Sequence, residues 1–362
     1  SIFTPITQKK SAMKKYLKTD EWNIIEDSFQ ADRMRWSESI FSLGNGRFGQ
    51  RGYFEEPYSS DSYRGAFVAG ITFLDKTRVG WWKNGFPQFY TRIPNAPDWS
   101  SISLRLIDEE LDLAQWDVDS FNRRLDMKAG ISYRDAEVTS PRGNKLRLHV
   151  EHIANMAHPN LCLIKYSVTS VNYTGKVSLV PILDGDTANP VRYPDEKIWN
   201  ILRSGTTSDC AYLWTQTRRE DAQICYAMTY RFFKNNKETF ANPIRIEKEK
   251  QAGFSVGTEV KPGDTVTLVK YIAIASSLYY ERCALPGQAG DRPHGRPQRP
   301  GCSRLRWSRK FSARLRSSAR GRTAGKRLPF SSSGTIYFRS HKPHTPAAAP
   351  GPAPYGAGGA FR

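Results

Sequence analysis

From Lys145 to Val150 the chain alternates apolar and polar side chains without interruption (KLRLHV), directly after the turn-forming run Pro141-Arg142-Gly143-Asn144. A period of two puts successive side chains on opposite faces, which predicts a strand with one face buried. Further β-rich runs occupy residues 161–168, 177–183, 211–217, 224–233 and 266–274. Earlier, residues 64–71 (RGAFVAGI) form an apolar run bounded by glycines and predict a buried strand. Helical signals are sparse: Thr19-Asp20-Glu21-Trp22 offers a cap-like start to a short helix through Ile24 and Ile25. Many strands separated by turn signals, with few helix-length patterns, predict a mainly β protein built as a large antiparallel β-sandwich. The Asn172-Tyr173-Thr174 sequon reads as a hairpin turn within it.

Residues 38–56 (ESIFSLGNGRFGQRGYFEE) carry the most distinctive local chemistry. Gly44, Gly46 and Gly49 spell G-x-G-x-x-G, the fingerprint of a dinucleotide site. That motif needs a buried strand before it and a helix opening inside it. Ile40, Phe41 and Leu43 meet the first condition in part, but Gly52, Tyr53 and Phe54 stand where the helix should begin, and Pro57 ends any regular run. The segment therefore predicts a tight glycine-rich turn between strands.

Charge divides the chain. Residues 292–362 contain 16 Lys and Arg and no acidic residue, whereas the preceding part has 38 basic against 35 acidic residues. The formal charge of +19 thus belongs to the tail. From Cys283 onward there are 13 Arg, 10 Pro and 11 Gly but only nine Leu, Ile and Phe, too few to bury a core. Three readings compete: a basic nucleic-acid-binding extension through arginines such as Arg304, Arg306 and Arg309, a low-complexity linker, and a change of reading frame near Arg282. The single abrupt change in composition favours the last, so nucleic acid is not the expected partner. Residues 1–12 read as a disordered leader, and Met13-Lys14-Lys15 as a natural start that would make those twelve non-native, upstream sequence read through. Five cysteines without C-x-x-C spacing argue against a disulfide framework or a zinc site and fit a reducing, cytoplasmic compartment. No apolar run approaches the length needed to span a bilayer, so no membrane partner is expected.

Candidate chemical groups are few. Trp81 and Trp82, with Asn84, sit in a Gly- and Pro-flanked loop that could offer aromatic faces to a sugar, or could equally be core. His149 and His152 fall on opposite faces of a strand and cannot share a metal. Asp184-Gly185-Asp186 lacks the third oxygen ligand of a calcium loop at Ala188. Glu55 and Glu56 are adjacent, should diverge, and therefore do not form the acid and base of a glycosidase.

Taken with residues 63–71 (YRGAFVAGI), the segment 38–56 resembles the amino-terminal region of glycoside hydrolase family 65, the maltose, kojibiose and trehalose phosphorylases. There a Ser-Leu-Gly-Asn-Gly pattern is followed by Gly-x-Arg-Gly, Phe-Glu-Glu and a Gly-x-Phe/Tyr-Val/Ile-Ala-Gly strand. Residues 104–113 and 123–130 continue the likeness, and residues 276–282 are the last to share it. The resemblance implies a domain at residues 13–282 with a galactose-mutarotase-like super-sandwich fold, and residues 283–362 as a tail outside it. It also implies a parent enzyme, homodimeric and free of organic cofactors, that uses inorganic phosphate to cleave an α-glucoside disaccharide such as maltose with inversion. The family's catalytic glutamate lies in an (α/α)6 barrel that this chain does not resemble. No catalytic residue is therefore expected here, and the chain alone is expected to be inactive. The alternatives are a stand-alone carbohydrate-binding module and a fragment without function.

Overall fold

The structure is a computed structural model that describes residues 16–77, 85, 87–187, 197–240 and 242–280, together with the backbone of 281–284, 304–305 and 336–340. It opens on a short hairpin, β1 (Leu17–Thr19) and β2 (Asn23–Glu26), followed by a 3-10 turn (Ala31–Arg33) and the helix α1 (Met34–Ile40). A small three-stranded sheet comes next, β3 (Leu43–Gly44), β4 (Phe48–Gln50) and β5 (Ala66–Val68), then the hairpin β6 (Phe73–Lys76) with β7 (Phe89–Arg92). The remaining strands build the sandwich: β8 (Ile102–Arg105), β9 (Asp117–Asp126), β10 (Ile131–Thr139), β11 (Lys145–Ala154), β12 (Leu161–Ser170), β13 (Gly175–Asp184), β14 (Trp199–Thr206), β15 (Ala211–Thr217), β16 (Gln223–Lys234), β17 (Lys237–Glu238), β18 (Ile244–Lys248), β19 (Gln251–Val260), β20 (Thr265–Ser276) and β21 (Tyr280–Ala284).

One sheet has 11 strands in the order β1-β2-β9-β10-β11-β12-β20-β16-β15-β14, with β17 paired to β16, and the second has four in the order β18-β19-β13-β8. Every pairing within them is antiparallel. Beyond Ala284, β22 (Arg304–Leu305) and β23 (Ile336–Ser340) pair in a sheet with β21.

The expected strands fall where period two placed them. In β11, Leu146, Leu148 and Val150 are buried while Arg147 is exposed, and in β20 Val266, Leu268 and Ile272 are buried. One continuous core joins the two sheets, with Trp99, Ile102, Leu104, Tyr166, Tyr226 and Phe254 fully buried near its centre. Area buried at this density is the main stabilising term.

Three expectations are corrected. Residues 19–25 form a hairpin, not a helix. The Asp20 carboxylate accepts the backbone N–H groups of Trp22 and Asn23, both at 2.8 Å, and so closes an Asx turn instead of capping a helix. The helix lies one segment later, at α1, in a stretch whose Ile40 and Phe41 suggested a strand. The turn at Asn172 joins strands of different sheets instead of a hairpin, since β12 pairs with β11 and β20 whereas β13 pairs with β8 and β19. Cys162 and Cys210 are buried free thiols, while Cys225 is disulfide-bonded, so the spacing of the cysteines did not exclude a bridge.

Candidate functional site

The glycine-rich turn is the hairpin joining β3 to β4, with Leu43 opposite Gln50 and Gly44 opposite Gly49. Gly46 takes φ +82°, a conformation open to glycine at little cost. Asn45 holds the turn in both directions. Its Oδ1 accepts the backbone N–H groups of Arg47 and Phe48 at 3.1 and 3.2 Å, and its Nδ2 donates to the carbonyls of Asn155 and Pro159 at 2.9 and 3.0 Å. Gly52 is required for a different reason: a Cβ there would lie 2.7 Å from the Cβ and carbonyl oxygen of Phe41. The motif is a packing device and not a phosphate cradle.

Around this hairpin the structure gathers buried charge into three clamps. In the first, Glu38 on α1 accepts the backbone N–H of Tyr63 at 2.8 Å and the hydroxyl of Ser62, with Arg51 Nη2 at 3.5 Å. In the second, Arg134 Nη2 on β10 reaches Glu55 at 2.8 Å and Glu56 at 2.7 Å, and the Tyr166 hydroxyl also donates to Glu56. The adjacent glutamates, expected to diverge, thus meet one guanidinium, because the 52–57 segment is not an extended strand but bends at Glu55–Glu56, and both side chains are buried. In the third, Asp98 receives Arg64 Nη2 at 2.9 Å, the Tyr53 hydroxyl at 3.0 Å and the Ser101 hydroxyl at 2.7 Å. Alongside them Glu26 pairs with Arg123 and accepts from Ser37.

The electrostatics follow from burial. Asp98 loses solvation, which on its own raises its pKa, but Arg64 and the surrounding hydroxyl and N–H donors outweigh that loss and hold the carboxyl far below its usual range. Arg134, although desolvated, is pushed above its ordinary value by Glu56 and Glu55. Lys270 is fully buried, and desolvation brings its pKa down to about 7. Its Nζ donates to the carbonyls of Ser101 at 2.9 Å and Ile182 at 2.8 Å, the two bonds that a neutral amine can donate. Burial also lowers His152 to about 4, and its Nε2 lies 3.1 Å from Cys162 Sγ. On the opposite face of β11, Asp135 and then Glu151 raise His149 to about 9. The two histidines are separated as the strand periodicity required.

None of these arrangements presents a pair of free carboxylates to a substrate. Glu55 and Glu56 are spent on Arg134, and Asp98 on Arg64. Asp184 and Asp186 do not form a cation loop: Asp184 accepts Gln251 Nε2 at 2.8 Å, and Asp186 pairs with Lys197 at 3.0 Å and Lys250 at 3.1 Å. No cluster able to hold a metal ion occurs among the described residues, and no helix among them is long and apolar enough to cross a membrane. Trp81, Trp82 and Asn84, the sequence-based candidates for sugar contact, lie outside the described residues. The residues that sequence reasoning did not find are Arg134, Asp98 and Lys270. Only a basic or acidic residue at an inward-facing strand position could have signalled them, and that pattern is legible for Arg134 and Lys270 once the alternation is read through each strand.

The fold is a large antiparallel β-sandwich whose polar core consists of paired charges. Residues 24–305 match the model of the glycosyl hydrolase family 65 N-terminal domain, and the chain belongs to that family. It is 38% identical over 198 residues to the maltose phosphorylase of Bacillus subtilis (strain 168), a match covering 55% of this chain and 26% of the relative. The alpha,alpha-trehalose phosphorylase of Thermoanaerobacter brockii is 26% identical over 273 residues, covering 72% of this chain and 35% of that protein. The kojibiose phosphorylase of Halothermothrix orenii (strain H 168 / OCM 544 / DSM 9562) is 28% identical over 254 residues, covering 70% and 30%. A solved structure from the human microbiome, provisionally named a kojibiose phosphorylase, superposes with a TM-score of 0.63 over 72% of this chain and 33% of its own, at 22% identity, and so shares the fold. The chain spans about a quarter to a third of the length of these curated relatives.

Proposed function

We propose that this chain acts as the sandwich scaffold of a disaccharide phosphorylase of the maltose type, a domain that supports catalysis carried by residues outside it. The observation that carries the reading is the match of residues 24–305 to the family model, joined to a polar core in which the buried glutamates and Asp98 are already paired. A group that protonates a leaving oxygen must be free to exchange its proton. The clamped carboxylates are fixed as acceptors and are suited to holding the 52–66 segment on the sheet.

The reaction served is phosphorolysis of an α-glucoside. A phosphate oxygen bonds to the anomeric carbon as the bond from that carbon to the glycosidic oxygen breaks, the leaving oxygen takes a proton, and the configuration inverts. The identity with maltose phosphorylase supports maltose over kojibiose and trehalose as the disaccharide. A chimaera tests the reading: residues 1–284 joined to the part of the Bacillus subtilis maltose phosphorylase that follows its matching segment, assayed for phosphate-dependent release of glucose 1-phosphate from each disaccharide. Activity on maltose is expected from the chimaera and none from the chain alone. A soluble, folded chimaera without activity, or phosphorolysis by the unfused chain, would overturn it.

A further inference from the structure

A groove of about 540 Å³ lies where the segment after β2 and the start of β9 face residues 58–60, one aromatic ring away from the Arg134 clamp, since Phe54 meets Tyr58 with ring centroids 5.6 Å apart and carries the Arg134 guanidinium at 4.9 Å. Its size falls within the range of small-molecule sites, roughly 300–1,000 Å³. The floor is aromatic: Phe29 and Tyr58 are half-buried and meet edge to face with ring centroids 6.4 Å apart, over the buried Phe121. The walls are polar and exposed, and include Ser60, Asp117 and Asp119.

Two features set the chemistry of an occupant. The first is a bulge in β9: Glu137 pairs with Ser120 and Val138 with Val118, so Asp119 is the extra residue between them. Bulges re-aim the side chain they carry and recur beside binding sites. The second is charge. Asp119 is bound by Lys145 at 3.1 Å and by the Thr139 hydroxyl at 2.6 Å, and Asp27 is paired with Lys18. With two of the three carboxylates already neutralised, the groove offers acceptors without a strong field for a cation. An aromatic floor below carboxylate and hydroxyl walls suits an uncharged ring that presents C–H groups on one face and hydroxyl groups at its rim. The Tyr58 hydroxyl is buried while the residue as a whole is half-exposed, so it is the ring of Tyr58 that the groove presents.

We propose that this groove is a binding site for a neutral glucose disaccharide. The choice of sugar among uncharged polyhydroxylated ligands rests on the phosphorylase reading above; the location and the polarity of the site rest on the groove alone. The sugar ring lies over the face of Tyr58, with the perpendicular Phe29 ring at its side, and its hydroxyl groups donate to Asp117 and Asp119.

The full chain, uniformly labelled with nitrogen-15, is titrated with maltose up to about 50 mM, well above the millimolar dissociation constants of weak sites, and followed by amide chemical shifts and calorimetry. Saturable shifts confined to the backbone of residues 27–31, 58–60 and 112–121 are expected. Tyr58→Ala and, independently, the exposed Asp117→Asn should each weaken binding at least about tenfold, while Trp36→Ala on α1 leaves it unchanged. Asp117→Asn removes an exposed charge without touching the core, so it reports even where Tyr58→Ala perturbs folding. The proposal is overturned by the absence of saturable shifts, by binding that Asp117→Asn and Tyr58→Ala leave intact but Trp81→Ala abolishes, or by calcium producing the same shifts in place of maltose. A chimaera active on maltose together with an empty groove would refute this site and leave the scaffold reading standing. Maltose binding at the groove with an inactive chimaera would do the reverse.

Discussion

Removing the cation of the Glu55–Glu56–Arg134 clamp should cost more stability than any single truncation of a surface side chain. Arg134 is 5% exposed and Glu56 is fully buried, so Arg134→Met leaves two carboxylates without their cation in a site that water barely reaches. Breaking a buried pair by deleting one partner costs about 3–5 kcal/mol, chiefly because the surviving charge remains desolvated. For a domain of this size each kcal/mol lowers the melting temperature by about 2–4 °C, which places the loss at roughly 6–20 °C. The cause can be separated from lost packing by neutralising the acids as well. In Glu55→Gln/Glu56→Gln/Arg134→Met no charge is left behind, and most of the loss should return, since replacing a whole buried ion cluster is often close to neutral. Arg134→Lys should fall between the two, because an ammonium cannot spread over two carboxylates as a guanidinium fork does. Urea denaturation at pH 7, monitored by near-UV circular dichroism, measures each difference. A loss below about 1 kcal/mol for Arg134→Met, or a triple variant no more stable than the single one, would refute the argument that uncompensated charge dominates.

Two further outcomes follow from the same core. Gly52→Ala should destabilise by about 1–3 kcal/mol, the usual cost of forcing extra volume into a packed site, because the added methyl meets Phe41 at 2.7 Å; Gly46→Ala should instead show the smaller cost of a left-handed backbone, since nothing lies within 4 Å of its Cβ. Thermal melts of the two variants decide the order, and an unaffected Gly52→Ala contradicts the packing role given to the signature. Lys270 links stability to pH with a defined sign. Its folded pKa of about 7 lies below the ordinary 10.5, so between those values the unfolded chain binds the extra proton and stability rises with pH. Comparing wild type with Lys270→Met at pH 7, 8, 9 and 10 isolates this contribution, and a difference independent of pH would mean that the lysine is charged in the fold.

Much of the architecture was legible because strand formation is governed by a local period. The alternation in KLRLHV commits Leu146, Leu148 and Val150 to one face and Arg147 and His149 to the other wherever the strand is placed, and the fold keeps that division. The same rule separated His149 from His152 correctly. It failed at Asp20, where one carboxylate can cap a helix or close a turn and the choice belongs to the strand that pairs with the segment. Here that strand is β9, which sets Asn23 opposite Asp126 and buries Glu26 against Arg123.

The family signature was likewise complete in the sequence, since glycines at fixed offsets record backbone demands that operate over a few residues. Gly46 is required by its own φ angle. Gly52 is required by Phe41, only eleven positions away. What no local pattern could supply was the partnership of charges: Glu55 and Glu56 lie nearly eighty positions from Arg134, and Ser101 is farther still from Lys270. Adjacent glutamates in an extended chain should point apart, and only the bend at Glu55–Glu56 brings both to one guanidinium. The sequence alone determined which residues make strands and which family they belong to, because those depend on neighbours along the chain. Which carboxylates are clamped, which lysine is stripped of water, and where a groove is left open were decided by the tertiary structure, because desolvation and pairing depend on neighbours in space.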